Sequence, residues 1–334
     1  MTTLAVSPTN GQFEYVHDNT TESSANASSG LVAPGEIDLD TWMRIPSLLV
    51  ALVGLVGNST VLWLLGFRIH RNPFSVYILN LAGADALFLC CSFLFSIYLF
   101  VSYLDIFMYK VVVYTTYMFY TAGLSLLAAI STERCLSVLF PIWYKCHRPK
   151  RTSAAVCFVL WALASLFGVT GFVICFCVRS PYFCHNFFLT EFVWFILLTC
   201  VLCLSSLTLL LRVQCSSQRR QPPRLYLLVL LTVLVFLLCG LPLEISDFIG
   251  RLTPYNMPHW IPWLLACVNS SANPFIYFFL GSRRHRRKEP LRVLLQRALG
   301  DDQELGSETW DTPTPTAQRH NSEVKNKMLR HGSP

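Results

Sequence analysis

Leu227–Leu238 reads LLVLLTVLVFLL, twelve residues with no charge, proline or glycine. A strand of a membrane barrel would alternate polar and apolar side chains in segments of about ten. This run does not alternate, so it reads as helix. It belongs to a longer apolar stretch of the length a bilayer demands. A hydrocarbon core roughly 30 Å thick takes about 20 residues at 1.5 Å rise. Comparable stretches lie at about 45–66, 74–102, 109–138, 153–177, 188–213, 225–250 and 260–281. They predict an all-α membrane protein, a seven-transmembrane helix bundle.

Composition agrees. Of 334 residues, 53% are apolar and 13% charged, with a mean hydropathy of +0.47. Soluble domains carry about 25% charged residues. A water-soluble fold of one or two domains is therefore excluded. The net charge of +7 raises a nucleic-acid partner as an alternative, and the placement of the charges removes it. Arg68 and Arg71 follow span one; Lys145, Arg148, Lys150 and Arg151 follow span three; Arg212, Arg219, Arg220 and Arg224 follow span five. Arg283, Arg284, Arg286, Arg287 and Lys288 follow span seven. The opposite connections hold only Lys110, Arg179 and Arg251. Basic residues mark cytoplasmic connections, where they meet anionic lipid. The expected protein is multi-pass in the plasma membrane, with the N-terminus outside and the C-terminus in the cytoplasm.

Four regions follow: a disordered extracellular tail (1–44), the bundle (45–281), an amphipathic surface helix (282–299) and a disordered cytoplasmic tail (300–334). No signal-peptide h-region precedes span one, which is expected to act as its own membrane signal. Asn19 and Asn26 begin glycosylation sequons on the predicted outer side. Ser307, Thr309, Thr312, Thr314 and Thr316 are phosphorylation candidates, unless the tail is simply a solvated segment of ordinary composition.

Acidic side chains within spans are costly and usually face a bundle interior or cavity. Five qualify: Asp85, Glu133, Glu191, Glu244 and Asp247. Asp85 lies at a depth comparable to Asn58, Asn269, Ser270 and Asn273. These polar residues either form one buried cluster holding water or a small cation such as sodium, or act as interhelical glue. Glu191, Glu244 and Asp247 lie toward the outer side, where three carboxylates would attract a cationic ligand, a basic peptide or amine-like molecule. Phe248, Trp194 and Trp263 are candidates to stack on its charge. Alternatively, Glu244 and Asp247 pair with Arg251 and the aromatic rings are interfacial anchors. Glu133 and Arg134 form a charge pair at the inner end of span three. Pro242 and Pro274 each remove a backbone hydrogen bond and permit kinks. Kinked helices facing a breakable ion pair make a bundle with two states.

Gly57-Asn58, Leu81-x-x-x-Asp85, Glu133-Arg134-Cys135, Trp161, Pro242 and Asn273-Pro274-x-x-Tyr277 occur in order at matching depths. Together they resemble rhodopsin-type (class A) G-protein-coupled receptors. LWLLGFR at Leu62–Arg68, STERCLSV at Ser131–Val138, PIWY at Pro141–Tyr144 and NSSANPFIYF at Asn269–Phe278 are more specific. They resemble the Mas-related receptor family, nearest its X and D subgroups, over about residues 45–300. The resemblance implies an extracellular ligand, a heterotrimeric G protein and, as a further candidate, arrestin. It also implies a role in nociception, itch or mast-cell signalling. Arg134, the loop at Pro141–Lys145 and Tyr277 would carry coupling.

The resemblance further implies a disulfide from the end of span four to the start of span five, which Cys175–Cys184 fits, with Cys177 as a competing partner. The paired acidic residues of the X subgroup align with Gly171 and Phe188, so any acidic pocket has moved toward span six. Thr116 stands where amine receptors carry Asp, and span seven has no Lys for retinal. Gly240 stands where many receptors have Trp, and span five, taken as Phe188–Val213, contains no proline. Other classes fit poorly. No HExxH, GxSxG or metal-spaced His pair points to an enzyme, and no cofactor or metal is expected. No internal repeat points to a transporter. The remaining alternative is a seven-helix ligand binder that does not couple to G proteins.

Overall fold

Backbone polar groups find no water in the bilayer core, so each apolar run must satisfy its own hydrogen bonds as helix. The computed structural model describes residues 44–69, 72–101, 105–149, 151–215, 224–252, 260–282 and 290–299, all in one compact unit. Its seven spanning helices are Ile45–Arg68, Pro73–Ile97, Ile106–Leu139, Thr152–Val178, Pro181–Arg212, Tyr226–Arg251 and Trp260–Ser282, spans one to seven below. A loop helix, Pro141–Cys146, follows span three, and a terminal helix, Leu291–Ala298, follows span seven. No strand occurs among the described residues. Asn19, Asn26, Ser307, Thr309, Thr312, Thr314 and Thr316 lie outside them.

Span five begins at Pro181 rather than Phe188. Proline suits the first turn of a helix, where its missing N–H has no partner to lose. His185 and Asn186 interrupt the apolar run there, which hid this turn from a hydropathy reading. Span five therefore does contain a proline, used as a starter and not as a kink.

Short π-helical turns close spans one and four, at Leu64–Arg68 and Val173–Val178, and a third interrupts span six at Phe236–Gly240. The last immediately precedes Pro242, whose ring cannot complete a regular turn. The Tyr120 hydroxyl of span three donates to the Gly240 carbonyl at 2.6 Å. A Cβ at residue 240 would lie 2.5 Å from the Phe236 ring and 3.2 Å from the Tyr120 hydroxyl. Tyr120 and Phe236 thus occupy the space a larger residue at 240 would need.

The core joins Tyr77, Ile78 and Leu81 of span two, Leu126 and Ile130 of span three and Leu202 of span five. Leu228 and Phe236 of span six and Tyr277 of span seven complete it. Spans one and seven meet through small residues, as membrane helices do. A Cβ on Gly54 would sit 1.9 Å from the Ser271 hydroxyl, which itself donates to the Val50 carbonyl. Trp161 of span four donates to the Asn80 side chain of span two at 3.1 Å.

The short amphipathic helix expected after span seven is present and is described over Leu291–Ala298. Leu295, Ala298 and Leu299 are buried in the main core, and the Leu294 carbonyl lies 2.1 Å from where a Cβ on Gly281 would stand. This helix packs into the bundle through its apolar face instead of resting on lipid alone.

Candidate functional site

The polar residues sort into three levels along the bundle. At mid-depth, Asn273 donates to the Asp85 carboxylate at 2.7 Å. Asn58 donates to the carbonyls of Gly54 and Ser270, both at 3.0 Å, and its own oxygen is buried without a partner. Asn269 is buried but, among the described residues, makes no side-chain hydrogen bond to the others. The Ser270 side chain also bonds the Asp85 carboxylate, so Asn58, Ser270, Asp85 and Asn273 are linked and Asn269 stands apart. Pro274 and Tyr277 follow on the same helix, both buried.

At one end of the bundle, Glu133 does not pair with its neighbour Arg134, contrary to expectation. Its carboxylate meets Arg148 at 2.5 Å and accepts from the Tyr144 hydroxyl at 2.9 Å and the Tyr77 hydroxyl at 3.4 Å. With the carboxylate occupied by Arg148, the Arg134 guanidinium points elsewhere. It lies 3.5 Å from the centroid of the Phe74 ring, and its Nε is buried without a hydrogen-bond partner. Burial, then the hydrogen bond to Glu133, pushes the Tyr144 phenol up to about 12, so it stays a proton donor. Pro141 opens the loop helix at its first turn, and Ile142 beside it is 77% exposed.

At the other end, Cys175 is joined to Cys184, with Cα atoms 5.0 Å apart, and Cys177 is a free thiol. Span four ends there with Arg179 in the left-handed conformation (φ 54°). Below the disulfide end lies a cleft of about 340 Å³, lined by Tyr109, Lys110 and Tyr117 of span three, Asp247 and Arg251 of span six and Trp263 of span seven. A side pocket of about 100 Å³ adjoins it, lined by Tyr114, Phe188, Glu191 and Glu244 and sharing Lys110, Tyr117, Asp247 and Arg251.

The three carboxylates are not equivalent. Asp247 accepts two bonds from Arg251, at 2.5 and 2.9 Å, and that guanidinium covers the Phe188 ring at 3.4 Å. Glu191 and Glu244 have no ion pair or side-chain hydrogen bond among the described residues. Of the aromatic candidates, Trp263 lines the cleft, tilted against Phe95 with its indole N–H buried and unpartnered. Phe248 lies flat on Phe192 at 3.6 Å and borders only a narrow crevice beside Glu191. Trp194 does not reach the cleft: it stacks on Phe167 at the contact between spans four and five.

Residues 57–277 match the family model of the 7 transmembrane receptor (rhodopsin family). Member X2 of the Mas-related G-protein coupled receptors from Macaca mulatta is 47% identical over 77% of this chain and 83% of its own. Member X1 from Homo sapiens is 46% identical over 79% and 84%, and member A from Rattus norvegicus is 45% identical over 83% and 95%. The chain belongs to the Mas-related branch of the rhodopsin receptor family.

This receptor is thus a seven-span G-protein-coupled receptor and not an enzyme. Several residues that build its two ends escaped the sequence reading. Lys110, Tyr114 and Tyr117 carry the spacing of one helix face, but span three is apolar nearly all round, so nothing marked that face as inward. Arg148 was counted among the loop charges that set orientation, although its side chain is 6% exposed. Tyr77 and Phe74 had no signal beyond apolarity.

Proposed function

We propose that the cleft at the disulfide end of this receptor faces the cell exterior and takes a cationic ligand, a basic peptide or amine-like molecule. Its occupancy would govern a heterotrimeric G protein at the Glu133–Arg134 end. The basic connections support that orientation. The observation that carries the ligand class is the pair Glu191 and Glu244, two carboxylates with no ion pair or hydrogen bond among the described residues, in a pocket walled by Tyr114, Tyr117 and Phe188 and sharing Lys110 and Arg251 with the cleft. A carboxylate held in a spanning helix away from water is unfavourable until a positive group meets it. Aromatic faces add to the attraction for that group. Asp247 contributes less, because Arg251 already neutralises it.

A ligand that prefers one arrangement of the bundle shifts its population by the difference in its affinities. The π-helical turn of span six begins at the core residue Phe236, and Pro242 lies between that turn and Glu244, placing a deformable turn directly below the ligand pocket. Arg134, Pro141, Asn273, Pro274 and Tyr277 are the proposed coupling and transmission residues, with Asp85 and Asn58 bracing spans one, two and seven.

The test is a G-protein activation assay in cells with a panel of Arg- and Lys-containing peptides. Combining Glu191→Gln with Glu244→Gln should lower the potency of every active peptide about 100-fold, taking about 1.5 kcal/mol or more for each charged hydrogen bond. Surface expression should be retained. Unchanged potency, or a panel in which only anionic ligands activate, would discard this pocket.

A further inference from the structure

Glu133 sits on a helix that carries its own replacement counter-ion one residue away, yet it is held by a residue fifteen positions further on. The Glu133 and Arg148 side chains are 10% and 6% exposed, so neither charge is solvated by bulk water. A buried carboxylate needs a positive partner and further hydrogen bonds to be tolerated. Arg148 supplies the charge, and Tyr144 and Tyr77 supply the hydrogen bonds. Arg148 is itself fixed: it donates to the Ser153 hydroxyl at 2.6 Å, and its guanidinium lies 5.2 Å from the centre of the Tyr144 ring. These contacts tie the connection after the loop helix to spans three and four.

Arg134 has the complementary arrangement. A ring face holds it, and the Nε–H that could serve an ion pair is unused. Removing Arg148 would leave Glu133 buried with Arg134 as the adjacent cation, and the favourable response is for Arg134 to leave Phe74 and turn to the carboxylate. One guanidinium cannot both neutralise Glu133 and be presented to a partner.

We propose that Arg148 is a positioning residue for G-protein coupling: by occupying the Glu133 carboxylate it prevents capture of Arg134 and leaves that guanidinium on the Phe74 ring, free to meet the G protein. This rests on the assignment of Arg134 as the coupling contact. Arg148 makes no contact with the G protein in this scheme and acts only through Glu133.

The experiment measures binding of nucleotide-free heterotrimeric G protein, of the class that wild type binds most tightly, to the purified full-length receptor in nanodiscs. Arg148→Gln should weaken binding about tenfold or more, the scale of a charged hydrogen bond lost. Adding Glu133→Gln to it should restore binding to near or above wild type, because nothing is then left to capture Arg134. Arg148→Lys should fall between, since it keeps the charge without the fork. Unchanged binding by Arg148→Gln would overturn the proposal. So would a double variant as weak as the single one, which would make Arg148 a tether for the loop and nothing more. If Arg148→Gln does not fold, Glu133→Gln alone decides: tighter binding supports the proposal and weaker binding overturns it. Arg134→Ala separates the two assignments, because undiminished binding there would refute Arg134 as the contact whatever the Arg148 series gives.

Discussion

The two ends of the bundle treat charge in opposite ways. At the Glu133 end the two charges that close span three are met from within the chain: Glu133 by Arg148 and two tyrosines, Arg134 by the face of Phe74. At the disulfide end Asp247 is compensated by Arg251, while Glu191 and Glu244 border the side pocket with no ion pair or hydrogen bond among the described residues. An end that is internally satisfied can hold a definite arrangement and switch to another. An end that leaves carboxylates unmatched gains free energy when something from outside matches them. The asymmetry fits the proposed division into a switch at one end and a ligand cleft at the other.

If the contrast is right, substitutions at the Glu133 end change stability and those in the cleft change affinity. The largest effect is expected where the terminal helix meets the bundle. Gly281→Ala places a Cβ against the Leu294 carbonyl. It should cost about 1–3 kcal/mol in overpacking and release residues Leu291–Ala298, seen as faster hydrogen–deuterium exchange in that helix. Unchanged exchange there would break the packing described. Next, Tyr144→Phe removes a hydrogen bond to a charged group, about 1.5 kcal/mol, and should lower the thermal midpoint of the purified receptor. No shift would mean that Glu133 does not depend on that donor.

The cleft should behave in the opposite sense. Neutralising Glu191 and Glu244 together should raise the ligand-free thermal stability by about 1 kcal/mol, because an unmatched buried charge is removed. A fall in stability would show that these carboxylates have structural partners after all. The smallest effect is expected at Lys110, the positive group shared by the cleft and its side pocket. Lys110→Gln removes a like charge and should improve basic-peptide potency about twofold, a rim-charge effect that weakens with salt. A loss of potency would reassign Lys110 as a ligand contact.

Much of the fold was legible because the bilayer leaves a chain few options. Runs such as Leu227–Leu238 are readable by length alone, and Asn58, Asp85, Trp161, Pro242 and Pro274 fixed their order and depth. The inward faces were not legible. In water, polarity marks the outside of a helix; in lipid both faces are apolar, and Leu166 and Leu204 point outward as freely as Leu126 points inward. That is why Trp194 and Trp263 looked interchangeable, although one packs between spans four and five and the other lines the cleft. Ion-pair choice was hidden for a related reason. Glu133 has Arg134 adjacent in sequence, but its bond goes to Arg148, fifteen residues on, which no local pattern announces. The start of span five was obscured because His185 and Asn186 lower the hydropathy of a turn that Pro181 begins.

The claim that the two ends are coupled is tested most directly by reciprocity, since a partner that favours one state must strengthen the other site by the same factor. The measurement is the affinity of a labelled, active basic peptide for the purified receptor, with and without nucleotide-free heterotrimeric G protein. The account predicts an affinity raised about tenfold by the G protein, within the usual range of coupling energies, and returned to the free value by adding a non-hydrolysable GTP analogue. An affinity indifferent to both additions would contradict it.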